Sequence, residues 1–294
     1  MFWKGRVSFL QQMKALFAKH DLAIASDIRA PPQPVDIQGT FRVAVANLSD
    51  VAGIVKLLNH HFEYENSKSK VAVTEDWLRS TFQRDGAIWF VAKDLLGTIR
   101  GCISSFHTVS PFPNSLAGCS SNATQWSLVD WYCVEPLWRG TGVGTTLLEV
   151  LDFVTYKMGR KAHVFLKEGL PLPLPHIPFY MTYLRCRLAG NPSVSRMREG
   201  TGLGVHVYQM VDKETGEPLI RVEGIRDPQT ATKEAIKEWE DALDKELPRC
   251  RVFVSGADIV EQGRGWQYDS LVSVYAFRWL PGKWFGSAPN AEIL

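Results

Sequence analysis

The sequence predicts an α/β (α+β) fold: a mixed, mostly antiparallel central sheet with helices on its faces. Three observations carry that expectation. Runs with the strand period of two and runs with the helical period of 3.6 interleave along the chain instead of segregating. The 294 residues are 45% hydrophobic and 22% charged, the composition of a globular chain with material for a large core. A glycine-rich turn, Arg139-Gly140-Thr141-Gly142-Val143-Gly144, joins a strand-like run to a helix-like run.

Taken in order, residues 1–40 end in the proline-rich PPQPVD and read as an extended N-terminal strap. Arg42 to Ala46 then reads as a short strand. Ser49 or Asp50 suits a helix N-cap, and Val51, Ile54, Val55 and Leu58 recur at helical spacing. A second helix is expected from Thr74, with Glu75 and Asp76 in its electropositive first turn. AIWFVAKD and TIRGCISSFHTV form a hairpin around Gly97. WSLVDWYCV reads as a buried central strand ending near Val134. Beyond the glycine turn, Val143, Leu147, Leu148, Leu151 and Val154 share one helix face. HVFLK is expected as a strand and FYMTYLRCRL as a helix. VHVYQMVD (strand), TKEAIKEWEDALDKEL (helix), RVFVSG (strand) and SLVSVYAFRWL (strand) follow. No internal repeat stands out.

Composition narrows the function classes. A net charge of +2 gives no field that implies nucleic acid. No run approaches the roughly 20 apolar residues of a membrane-spanning helix. The first 21 residues are apolar and basic but interrupted by Lys4, Arg6, Gln11 and Gln12, which argues against a secretory signal. The expected compartment is the cytoplasm, with an organellar presequence left open by the lack of an acid before Asp21. Five scattered cysteines without a CxxC pair fit free thiols and give no zinc site. His60 and His61 have no second ligand cluster, so no metal is expected.

The turn is where the chemistry concentrates. Glycines let successive backbone N–H groups point at one place, and the helix that follows adds partial positive charge there. Such a site suits a pyrophosphate, and Arg139 could add a forked contact. The turn lacks the GKS/T of a P-loop, and Leu147 breaks the dinucleotide pattern GxGxxG.

The string VDWYCVEPLWRGTGVGTTLL resembles the acyl-CoA signature of the GNAT acyltransferase superfamily. Val134, Pro136, Arg139, Gly142 and Gly144 fill its V-x-P and Arg-x-x-Gly-x-Gly positions in order. Within that superfamily the chain is similar to the N-myristoyltransferases. LLNHHFEYEN matches their helix end, WYCVEPLWRGTGVGT aligns without gaps with their strand and turn, and HVFLKEGLPLPLP stands where they carry LPKP. SVYAFRWLPGKWFG matches a late strand rich in Tyr and Trp, and the chain finishes at Leu294.

The resemblance implies a GNAT-type domain at 41–215, with a C-terminal α/β extension at 216–294 on the substrate-cleft side. It implies a strand that splays from its neighbour ahead of the turn. Backbone groups of Trp131 and Tyr132 would hold the acyl carbonyl as an oxyanion hole. Arg139, Gly140, Thr141, Gly142, Val143 and Gly144 would hold the CoA pyrophosphate, with Val134 and Thr145 also among the cofactor-binding residues. The terminal carboxylate at Leu294 would act as base. Acyl-CoA is the implied co-substrate, as myristoyl-CoA or, given a turn nearer the acetyltransferase form, acetyl-CoA. The acceptor would be a peptide or protein N-terminus, or a small amine.

Acyl transfer from a thioester to an amine needs a base and a stabilised oxyanion, but no enzyme nucleophile. Strand alternation places Cys133 opposite Asp130 and Tyr132, as a core cysteine. Asp130 is a candidate base acting through water; a structural acid at a strand splay is the other reading. Tyr180 and Tyr183 stand where the superfamily often places a phenol that protonates the leaving thiolate, and FYMTY equally suits a core helix. Trp279 and Trp284 could line a peptide cleft or simply pack. A non-catalytic subunit on this fold is the reading from a different class.

Overall fold

The computed structural model describes residues 22–23, 41–62, 69–83, 86–108, 125–170, 172, 180–190, 203–216, 218–226, 249–255, 267–277 and 279–280. The strands are β1 (Leu22–Ala23), β2 (Phe41–Val45), β3 (Ser69–Val71), β4 (Ile88–Asp94), β5 (Ile99–Thr108), β6 (Gln125–Val134) and β7 (Arg160–Glu168). They continue as β8 (Tyr180–Gly190), β9 (Leu203–Asp212), β10 (Pro218–Arg226), β11 (Arg249–Ser255), β12 (Gln267–Phe277) and β13 (Trp279–Leu280). The helices are α1 (Val51–His61), α2 (Glu75–Phe82) and α3 (Val143–Lys157). The expected helix at 232–247, Trp284, Leu294 and most of the strap lie outside the described residues.

Local chemistry explains the helix starts. Asn47 Oδ1 accepts from the Ser49 N–H at 2.8 Å, and Asp50 Oδ2 accepts from the Asn47 N–H at 3.1 Å. This reciprocal cap closes a short 3-10 turn that leads into α1. Asp50 thus works back on Asn47 and makes no cap bond of its own to α1. At α2, Thr74 is the N-cap, its Oγ1 accepting from the Trp77 N–H at 3.2 Å. α1 buries Val51, Ile54, Leu57 and Leu58, each worth about 1.5–3 kcal/mol of transfer free energy.

One sheet runs in the order β2-β4-β5-β6-β7-β12-β8-β11-β10-β9-β3. Only β6/β7 and β10/β11 pair parallel; the other neighbours are antiparallel. The sheet is therefore mixed and mostly antiparallel, as expected. α1 and α2 cover one face, packing Ile54, Leu58 and Leu78 on Trp89, Val91, Cys102, Phe106 and Trp131. α3 covers the other, packing Val143, Leu147 and Leu151 on Phe41, Phe90, Ile103 and Val129. A buried pair, His163 Nε2 and Asp152 Oδ1 at 3.4 Å, ties β7 to α3.

One element read from the sequence is corrected. From Tyr180 onward FYMTYLRCRL is a strand, β8, and not a helix. Its Leu184-Arg185-Cys186-Arg187-Leu188 alternates with period two, and pairing with β12 on one side and β11 on the other decides its state. The sequence shows no repeat, whereas the sheet is approximately palindromic about the β12/β8 junction. β5-β6-β7 and β9-β10-β11 each run as an antiparallel pair followed by a parallel pair. β3 and β10, unread in the sequence, complete this second half.

Candidate functional site

β6 and β7 pair only from Gln125/Arg160 to Leu128/Val164. Beyond that point β6 stays with β5, while β7 follows β12. The two strands part into a wedge between Val129–Val134 and Phe165–Glu168, the splay that the resemblance implied. α3 begins close by, at the carboxyl end of β6.

A β-bulge stands on the wedge. Ser104 pairs with Asp130 and Cys102 with Cys133, so one residue of β5 opposes both Trp131 and Tyr132. Trp131 takes φ 52, the left-handed region that a bulky side chain avoids. Three features hold it there. Its N–H donates to Asp130 Oδ1 at 2.7 Å. Its carbonyl accepts from Cys102 Sγ at 3.4 Å. Its ring, 1% exposed, packs at centroid distances of 5.1–5.2 Å on Trp77 and Phe62 and 6.4 Å on Trp89.

The bulge breaks strand alternation. Asp130 shares the α1 face with Cys133, because its partner Ser104 lies two residues from both Cys102 and Phe106 of that face. Tyr132 turns the other way, toward α3. The expected grouping of Asp130 with Tyr132 is corrected for this reason. Cys133 is buried in the α1-side core, and burial pushes its thiol up to about 12. Burial raises the Cys102 thiol as well, so neither cysteine offers a thiolate near neutral pH.

The turn presents unsatisfied donors. Gly140 and Gly142 adopt φ 82 and φ 98, which require glycine, and Gly142 is the N-cap of α3. The first α3 residue whose N–H finds an acceptor is Thr146, on Gly142 O at 2.9 Å. The N–H groups from Gly140 to Thr145 have none among the described residues, as helix starts leave them. No acid stands in the first turn of α3. Arg139 is exposed, its Nε donating to Val134 O at 3.1 Å, with its terminal NH₂ groups without an acceptor among the described residues. Thr141 Oγ1 closes the turn on Trp138 O at 2.7 Å. Chemically this is an anion cradle backed by a helix dipole.

Tyr132 reaches this cradle from the strand side. Its hydroxyl lies over Gly144, where any Cβ would collide with it. The half-exposed ring is enclosed at its hydroxyl end, and that enclosure pushes the phenol up to about 12. Tyr132 and Gly144 are thus coupled positions, a relation invisible until the bulge is known. The described residues place Asp130, Trp131, Tyr132, Val134 and the turn from Arg139 to Thr145 within one continuous strand-turn-helix. Backbone alone is described for Tyr180 and Tyr183, on β8, and for Trp279, on β13. No cluster of three or more potential metal ligands occurs among the described residues, and no helix there is long and apolar enough to cross a membrane.

The wedge, the bulge and the helix start at the end of the splayed strand define a GNAT-like fold. Solved structures share it. Saccharomyces cerevisiae N-myristoyltransferase with bound myristoyl-CoA matches at a TM-score of 0.60, covering 95% of this chain and 88% of that one at 10% identity. A second structure of that yeast enzyme with myristoyl-CoA matches at 0.55 over 86% of each chain, also at 10% identity. A third, with myristoyl-CoA and inhibitors, gives 0.57 over 85% and 82% at 8% identity. The likeness at these identities is one of fold. No family model and no curated protein sequence matches the chain.

Proposed function

We propose that this protein is an acyl-CoA-dependent N-acyltransferase laid out like an N-myristoyltransferase, moving an acyl group to the N-terminal glycine of a peptide. The observation that carries the reading is the run of acceptor-free amides from Gly140 to Thr145 at the start of α3, beside a parted strand pair. The cradle grips the CoA pyrophosphate with those amides and Arg139. The pantetheine arm follows the wedge. The thioester carbonyl meets the β6 backbone at Trp131 and Tyr132, and since the Trp131 N–H already serves Asp130, the Tyr132 amide is the donor we assign to the oxyanion.

The amine attacks the carbonyl carbon, its proton passes to a base, and the CoA thiolate leaves. Asp130 and the Leu294 carboxylate are the two candidate bases. Residues 41–215 carry the donor site, and residues 216–294 complete the acceptor side. A second reading, an N-acetyltransferase using acetyl-CoA on a small amine or protein, is favoured by one observation. Trp131, Phe62, Trp77 and Trp89 fill the α1 side of the bulge with rings and leave little room there for a long chain.

Calorimetry with CoA, acetyl-CoA and myristoyl-CoA tests the donor, and mass spectrometry of glycine-terminated peptides incubated with each thioester tests transfer. Tight binding of the long thioester with acylated peptide supports the first reading. Acetylation alone supports the second. Binding of no CoA species would overturn both and leave a non-catalytic subunit.

A further inference from the structure

We propose that the end of the sheet beside the glycine-rich turn docks on an anionic lipid bilayer through Leu95, Leu96 and Leu137. These side chains are 78%, 90% and 86% exposed, the most exposed large apolar residues among those described. Leu95 and Leu96 form the tip of the β4–β5 hairpin, where Asn, Asp or Gly would serve the turn as well. Leu137 stands in the turn between β6 and Arg139.

The two turns are one rigid unit. Asp94 Oδ1 accepts from the N–H groups of Leu96 and Thr98, each at 2.9 Å, which fixes the tip. The Arg100 guanidinium binds Asp94 Oδ2 at 2.8 Å and Glu135 Oε2 at 2.7 Å. The Glu135 N–H in turn donates to Arg100 O at 2.9 Å. The leucines are therefore held outward by ordered backbone on both sides of a single cation.

Charge selects the partner. Asp94 and Glu135, the acids that the described residues place here, point inward onto Arg100, with side chains only 9% and 16% exposed. Arg139 and Arg42 are exposed beside them, Arg42 following Phe41, whose ring meets Trp138 edge-on at 6.4 Å. Leucines on two projecting turns, with the exposed Arg42 and Arg139 at the same end of the sheet, suit insertion at the boundary between acyl chains and anionic headgroups. Docking of this kind would set the mouth of the cradle at the bilayer, where a long-chain thioester would partition; that use, though not the docking, rests on the function proposed above.

The test is sedimentation of the full chain, without acyl-CoA, with vesicles of phosphatidylcholine alone or mixed with phosphatidylserine. The expected result is preferential partition onto the phosphatidylserine vesicles, lowered at least about tenfold in L95S/L96S/L137S. Circular dichroism and melting of that variant should match the wild type. Calorimetry with CoA on the same variant reports separately on the cradle, which these substitutions do not touch. No sedimentation above the lipid-free control, or equal sedimentation of the variant, overturns the proposal. So does a lipid-free dimer that the triple substitution converts to monomer, which would make a second copy the occupant.

Discussion

Trp131 and Gly142 set the geometry of the site in opposite ways. A tryptophan at φ 52 stores about 1–3 kcal/mol of backbone strain, held by its ring packing and by Asp130. Gly142 reaches φ 98 without that cost. Gly142→Val is expected to weaken CoA binding at least about tenfold, because the amides would no longer converge; calorimetry reads the loss and circular dichroism checks that the fold survives. Asp130 has two separable duties, as acceptor for the Trp131 N–H and as candidate base. Asp130→Asn keeps a carbonyl oxygen for the first and removes the second. The melting temperature should therefore hold while turnover falls about 100-fold or more; unchanged turnover would pass the role of base elsewhere. The turn was readable from sequence because only glycine tolerates its dihedrals. The bulge was not, since one extra residue on β6 leaves no mark in hydrophobic periodicity, and it moved Asp130 to the other face from Tyr132.

Elements followed local chemistry where that chemistry was strong. Thr74, Glu75 and Asp76 announced α2, and Gly97 announced the β4–β5 hairpin, because caps and tight turns depend on residues a few positions apart. β8 was misread because Phe179 and Tyr183 stand at helical spacing, while its strand partners lie far along the chain. The hairpin also carries a measurable electrostatic device. Burial opposes ionisation of Asp94, but the Thr98 N–H, the Arg100 guanidinium and the Leu96 N–H outweigh it and hold the carboxyl below its ordinary value. A lowered folded-state pKa stabilises above the unfolded value and loses that contribution as pH falls through the folded one. Arg100→Met is expected to cost about 2 kcal/mol at neutral pH, with two nearly buried carboxylates left unpaired. Urea titrations should show that difference shrinking below about pH 4 as Asp94 protonates.

At the scale of the whole molecule, the order of strands in space departs most from their order in sequence. β12, from residues 267–277, lies between β7 and β8 and pairs with both. The mixed architecture was legible from interleaved periods, but nothing in a linear sequence places its last long strand at the middle of the sheet. A chain ending before residue 267 is accordingly expected to lose cooperative unfolding altogether, with β7 and β8 left as open edges prone to association; a sharp melt from such a fragment, followed by circular dichroism, would contradict this. The same placement bears on biosynthesis. The ribosome releases the central staple of the sheet only after every strand beside it, so the nascent polypeptide must wait with two half-built sheets on display. It should therefore engage chaperones until residue 277 has emerged.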